Sequence, residues 1–180
     1  MKKNTIRNLV FLVFVIIVAS CKKDATSSDN DSYVKFKLNG NWVTYKGLGE
    51  LGPDLGDASK TDLGVNGYSD DKKSSFSISI QIDGSDFKTG TYSSDQYLQY
   101  YMIVDFTSNP DPSTAKYYEI SDAIDNNPSK YIVNITSITP TQIKGTFTGN
   151  YLYDSFHDDN DPDGGIVYIT EGQFQVKRVR

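Results

Sequence analysis

Residues 75–83 read SFSISIQID, and this strict alternation of polar and apolar side chains is the feature that most limits the fold. Phe76 and the three isoleucines recur at every second position, which puts them on one face of a strand but scatters them around a helix. A strand with one apolar and one polar face buries the first against a core and leaves the second in water. The run therefore predicts a half-buried β-strand.

The same period of two continues along the chain. Residues 33–38 alternate in this way, Asn39-Gly40 is a strong hairpin signal, and residues 42–45 return as the partner strand. Further strands are predicted in turn-bounded runs, with no convincing helical period: 98–106, 115–120, 131–138, 143–153 and 166–179. Residues 47–61 (GLGELGPDLGDASKT) fit no strand and predict a long glycine-rich loop. The expected fold is all-β, a single antiparallel β-sandwich or barrel-like domain of about eight to ten strands.

The N-terminus has the charge order of a secretory signal. Residues 1–7 carry three cations and no acid, and residues 9–19 are almost purely apolar, too short for a comfortable membrane span. The tetrapeptide Val18-Ala19-Ser20-Cys21 follows and resembles the bacterial lipobox, which implies cleavage before Cys21 and lipidation of its thiol. A plain transmembrane anchor with a buried cysteine is the alternative. We therefore expect a signal peptide over 1–20, a lipidated Cys21 and flexible tether over 21–32, and the folded domain over 33–180.

Two segments carry a resemblance to a wider group. The start of the chain (MKK, lipobox, CKKD and a polar tether) looks like that of small lipoproteins of Bacteroidota. Residues 131–153 and 168–177 resemble the closing strands of uncharacterised members, in which an "ikGtFsG" strand pairs with an "iTeGxFxv" strand. The resemblance implies structural glycines, core-facing aromatics and a place in the outer membrane, with surface exposure as the favoured orientation. It implies no catalytic residue.

The charge of the chain excludes one class of partner. Loss of residues 1–20, with three cations and no acid, leaves 15 Lys and Arg against 23 Asp and Glu, a net charge of −8. Phosphate backbones repel so acidic a chain, so no nucleic-acid binding is expected. Cys21 is the single cysteine, so the folded domain has no disulfide.

Calcium is the candidate cofactor. Asp159, Asp161, Asp163 and Gly164 match D-x-D-x-D-G, the first half of an EF-hand-like loop in which alternate carboxylates converge on one cation. The twelfth position, where a bidentate glutamate is expected, is Thr170, and Glu171 comes one residue late. An acidic hairpin tip without a cation is the alternative.

An enzyme is the least favoured class. His157 is the single histidine, and no free thiol remains after lipidation of Cys21. The sequence has no phosphate-binding loop and no nucleophile elbow. Glycoside hydrolysis by a pair of carboxylates is the enzymatic alternative that remains.

Aromatic side chains on a β-domain can instead stack on sugars, and the candidate ligand-binding residues are Trp42 and Tyr101. A lone tryptophan such as Trp42 more commonly packs in the core. Tyr101 shares its strand face with the polar residues Gln99 and Asp105, which makes it the better candidate for a surface position.

These observations predict a lipid-anchored protein of the cell envelope that acts as a non-enzymatic binding or structural module, with calcium as a candidate stabiliser. The alternative is a glycan-binding accessory lipoprotein of a polysaccharide-uptake system. The expected partners are the membrane, through the lipid, and a glycan or another envelope protein.

Overall fold

The structure, a computed structural model, describes residues 32–96, 98–108, 115–120, 130–154 and 165–179. These ranges contain no helix and twelve strands: β1 Tyr33–Leu38, β2 Asn41–Pro53, β3 Lys60–Tyr68, β4 Ser74–Asp83, β5 Gly90–Ser93, β6 Tyr100–Ser108, β7 Lys116–Glu119, β8 Ile132–Ile138, β9 Gln142–Thr148, β10 Leu152–Asp154, β11 Ile166–Val167 and β12 Ile169–Arg178. All of them belong to residues 31–180, which form a compact unit with its own core.

The twelve strands form one sheet in the order β11-β10-β7-β6-β4-β3-β2-β1-β12-β9-β8-β5. Neighbouring strands run antiparallel; a short parallel contact joins β12 to β2, where Lys177 and Arg178 extend past the start of β1. The sheet curls into a half-barrel around its apolar face. The predicted all-β class is therefore confirmed, and its form is barrel-like.

The alternation of apolar residues places the core. Phe76, Ile78 and Ile80 of β4 have no exposed surface, as their spacing predicts. The ring of Phe76 lies 4.8 Å from that of Phe36 on β1 and 5.1 Å from that of Phe147 on β9. Because β4 and β9 lie five strand positions apart in the sheet, the second contact crosses the interior and closes the curl.

The first hairpin turns where the sequence predicts it. Asn39 and Gly40 both have positive φ, 48° and 83°, and Leu38 pairs with Asn41 across the turn. Two consecutive positive φ values belong to the mirror-image turn that matches the right-handed twist of a hairpin. The strands β1 and β2 are thereby held in a fixed register.

The predicted pairing of the two glycine-containing strands is present as β9 and β12. Gly172 is paired with Phe147, and Gly145 with Phe174, so each phenylalanine lies beside the glycine of the partner strand. A Cβ atom on Gly145 would stand 2.4 Å from the Phe174 ring, and one on Gly172 would stand 2.3 Å from the Phe147 ring. The glycines are therefore required by close packing of the two rings.

A third aromatic ring closes the same end of the core. Tyr131 has no exposed surface, and its hydroxyl donates a 2.9 Å hydrogen bond to the Ile169 carbonyl. The ring packs directly on Gly149, where a Cβ would stand 2.1 Å from it. Burial raises the pKa of the Tyr131 hydroxyl well above its usual value.

The predicted loop over residues 47–61 is wrong. Its first half continues β2 to Pro53, and β3 begins at Lys60. Gly47 and Gly49 occupy inward positions of β2, where a Cβ would stand 2.7 and 2.5 Å from the Val176 side chain. Because glycines replace apolar residues there, the apolar alternation that marks a strand is interrupted. The short strand β5 was not predicted either, and twelve strands exceed the number expected.

Candidate functional site: a groove on the outer face of the sheet

A groove crosses the outer face of four neighbouring strands, β3, β4, β6 and β7. Its lining comes from two transverse rows of side chains, in which directly paired residues follow one another from strand to strand. The first row is Tyr68, Ser75, Thr107 and Tyr117, and the second row is Asn66, Ser77, Asp105 and Glu119. The cavity above the two rows has a volume of about 490 Å³.

The depth of the groove follows from the sizes of its side chains. Ser75 and Ser77 on the central strand β4 rise little above the backbone, whereas Tyr68 and Tyr117 stand at the two sides. The flanking strands β3 and β7 are three inter-strand spacings apart, about 14 Å. The two tyrosines are 43% and 47% exposed, so ring surface on both sides is open to a ligand.

The second row holds two carboxylates directly opposite each other, the half-buried Asp105 on β6 and the exposed Glu119 on β7. Like charges in this position destabilise a sheet. Burial raises the pKa of Asp105; a 3.0 Å hydrogen bond donated by the Ser77 hydroxyl lowers that pKa, and the Glu119 charge raises it again. The sheet thus carries an unfavourable pair of acids where they line a cavity, which is typical of a functional site.

Such a lining suits a neutral, polyhydroxylated ligand. Aromatic rings offer apolar faces to the C–H groups of a sugar, and hydroxyl, amide and carboxylate groups bind its hydroxyls. Carboxylates in the second row repel an anionic ligand. In the part of the chain that the structure describes, no group of three or more His, Cys, Asp and Glu side chains is placed to hold a metal ion.

Tyr101 lies on the same outer face of β6 but outside the groove. It is 59% exposed, as the prediction of a surface tyrosine requires, and stands four residues from Asp105 along the strand. Its cross-strand partner is Gln81, whose amide donates a 3.1 Å hydrogen bond to Asp54 and accepts one of 3.2 Å from Lys60. The structure therefore places Tyr101 beside a second polar cluster.

Trp42 lies on a different part of the sheet. It is 50% exposed on the outer face of β2, whereas the packing anchor that the sequence favours would be buried. The ammonium groups of Lys35 and Lys37 lie 5.1 and 5.3 Å from the centre of its ring, within range of cation–π attraction. The two ligand-binding candidates, Trp42 and Tyr101, are thus not brought together.

The remaining site predictions fall outside the described residues. These are the lipidation site Cys21 and the calcium ligands Asp159, Asp161 and Asp163. Among the residues that are described, none forms an apolar helix of sufficient length to cross a membrane.

None of the eight side chains in the two rows was predicted as a site residue, including Tyr68, Tyr117, Asp105 and Glu119. Alternation on β6 does predict that Asp105 faces outward, since it shares parity with Tyr101. No comparable signal marks Tyr68, because β3 was not recognised as a strand.

Comparisons with known proteins identify no relative. No protein-family model matches the chain, and no curated protein and no solved structure matches it.

Proposed function

We propose that this protein is a lipid-anchored, non-enzymatic binding module of the cell envelope, and that the groove binds a neutral glycan. The observation that supports this most strongly is the combination of two half-exposed tyrosines, Tyr68 and Tyr117, with the hydroxyl and carboxylate groups of the two rows. Ligand sites commonly combine apolar ring surface with a few polar groups that fix orientation.

A purely structural module is the alternative. Such a module needs a stable outer face, and stability favours opposite charges or neutral pairs across strands rather than Asp105 opposite Glu119. The unfavourable pair is understandable if its oxygens serve a ligand, because functional sites commonly sacrifice local stability. The groove therefore favours binding.

The proposed anchor rests on the lipobox and is tested in cells. Cys21 should incorporate labelled palmitate, and Cys21→Ser should abolish both the label and the lipid-dependent membrane fraction. Palmitate label in the Cys21→Ser variant, or a membrane fraction of that variant that resists a molar-salt wash, would contradict lipidation at this residue.

The binding proposal is tested by a glycan array followed by calorimetry on residues 22–180, which include the whole compact unit. Tyr68→Ala should weaken binding of the tightest-binding neutral glycan about tenfold or more. Tenfold corresponds to ~1.4 kcal/mol of binding free energy, as expected for an aromatic anchor. Tyr101→Ala is the matched control, because Tyr101 is an exposed tyrosine of the same outer face outside the groove. Equal losses in the two variants, or loss only in Tyr101→Ala, would contradict the groove as the site.

The same ligand also tests the non-enzymatic part of the proposal. Asp105 and Glu119 form a carboxylate pair in unequal environments, an arrangement that glycoside hydrolases use. We expect no release of reducing sugar from the bound glycan. Release by the wild type and not by Asp105→Asn would show instead that the groove is catalytic.

A further inference from the structure

Another part of the outer face is strongly basic. Outward positions of β1, β9, β12 and the first half of β2 carry five lysines, which we call the basic face: Lys35, Lys37, Lys46, Lys144 and Lys177. Among the outward positions of these described segments, Glu171 is the sole acid, and it pairs with Lys37. Lys46 also forms a 3.0 Å ion pair with Asp70 of the β3–β4 turn, and both side chains are at least 80% exposed. Five lysines against Glu171 and Asp70 leave a net charge of +3 on this surface.

The opposite charge predominates around the groove. The outward positions of β3, β4, β6, β7 and the second half of β2 carry five acids and one lysine: Glu50, Asp62, Asp83, Asp105, Glu119 and Lys60. The outer face is therefore divided into a basic and an acidic half, although the mature chain as a whole is acidic. A concentrated positive field on an acidic protein attracts an anionic partner to one side of the molecule.

An exposed tryptophan stands on the basic face. Trp42 is 50% exposed, and Leu48 on the same face of β2 is 44% exposed. The ammonium groups of Lys35 and Lys37 lie over the Trp42 ring, and that of Lys37 also pairs with Glu171. Tryptophan beside lysine is the composition of protein surfaces at a membrane interface, where the indole enters the headgroup layer and ammonium groups meet phosphates.

We infer that the basic face lies against an anionic lipid surface. Lys35 and Lys37 belong to β1, the strand that the preceding part of the chain enters directly. Ser32 is eleven positions after Cys21, so this connection spans at most about 40 Å. An acylated Cys21 would therefore keep the basic face within reach of the lipid; this step rests on the proposed anchor, whereas the charge argument does not.

This docking would also orient the groove. Phe76 of β4 packs across the core on Phe147 of β9, so the outer faces of these two strands point away from each other. When the basic face contacts lipid through β9, β12 and β1, the part of the groove on β4, β6 and β7 is turned away from the membrane. Tyr68 on β3, by contrast, is paired with Lys46 at the border of the basic face. A glycan could then enter the groove from the surrounding medium.

The test uses unlipidated residues 22–180 and vesicles, so that it does not depend on acylation. Trp42 is the sole tryptophan of the chain, and its fluorescence therefore reports directly from the basic face. Vesicles of phosphatidylcholine mixed with phosphatidylglycerol should shift the emission to shorter wavelength, and pure phosphatidylcholine should not. Molar salt should reverse the shift, because it shortens the screening length to about 3 Å.

Charge-reversal variants locate the surface. Lys35→Glu combined with Lys177→Glu should weaken binding to the anionic vesicles at least about 25-fold, since each lysine removed near such a surface accounts for about fivefold. Lys73→Glu combined with Lys116→Glu changes the net charge equally outside the basic face, and should keep most of the affinity. Equal loss in both double variants, equal binding to neutral vesicles, or binding to soluble heparin but not to vesicles would each overturn the inference.

Discussion

Gly172→Ala tests the packing that joins β9 to β12. The added Cβ would stand 2.3 Å from the Phe147 ring and 2.6 Å from the carbonyl oxygen of Lys35 on β1. Both distances are far shorter than an ordinary van der Waals contact, and the second involves backbone. Rotation of the Phe147 ring alone therefore cannot make room for the methyl group.

The expected cost follows from two opposing effects. An extra methyl group in a tightly packed core costs about 1–3 kcal/mol, and the backbone contact places Gly172→Ala near the upper end. Replacement of glycine by alanine also reduces the conformational entropy of the unfolded chain, which stabilises the folded state by about 0.4–1 kcal/mol. The free energy of unfolding should fall by about 2 kcal/mol, which lowers the Tm of a domain of this size by about 4–8 °C.

Gly64→Ala on β3 is the matched control. A Cβ at Gly64 would meet its nearest neighbours at 3.6 and 3.7 Å, which is ordinary contact, so this variant should be as stable as the wild type or slightly more stable. Urea and thermal unfolding, monitored by circular dichroism, give the free energy of unfolding and the Tm of each variant. A Gly172→Ala variant as stable as Gly64→Ala would refute the reasoning. Gly172→Ala should cost less in a Phe147→Leu background than in the wild type, because Phe147→Leu removes the ring but not the β1 carbonyl.

Three further predictions concern a buried hydroxyl, a pKa and a cation. Tyr131→Phe removes the buried hydrogen bond to the Ile169 carbonyl and should lower the free energy of unfolding in urea by ~1 kcal/mol. Asp105→Asn should be more stable than the wild type at pH 7, because a raised pKa in the folded state favours folding only while the group is protonated. In urea titrations this difference should shrink on acidification and vanish below about pH 3.9, the unfolded pKa. Millimolar calcium should raise the Tm of residues 22–180 and excess EDTA should reverse the rise, with neither effect in Asp161→Ala; an unchanged Tm would favour the acidic hairpin tip.

The fold could be predicted where its signals are local. Alternation in residues 75–83 determines which face of β4 is buried, and Asn39-Gly40 determines both the place and the handedness of the first turn. These signals lie within a few residues of the element that they specify. Alternation did not reveal the strand at Gly47 and Gly49. Glycine is needed at these positions because the Val176 side chain of β12, over a hundred residues away in sequence, packs against them.

The groove required information of a different kind. Alternation predicts that Tyr101 and Asp105 both face outward on β6, but it does not predict which residues of β3, β4 and β7 stand beside them. The register supplies this: Tyr68, Ser75, Thr107 and Tyr117 form one row only because three separate strand pairings align them.

A shift of two residues in the pairing of β4 with β6 would keep every side chain on its own face and the same alternation of buried and exposed residues. It would nevertheless move Asp105 out of its row with Ser77 and Asn66 and destroy the second row of the groove. Such a shift is opposed by the packing of particular core side chains on the inner face, such as Phe76 against Phe147 across the interior. The site on the outer face is therefore positioned by apolar contacts on the inner one, which is why its residues carry so weak a signal in the sequence.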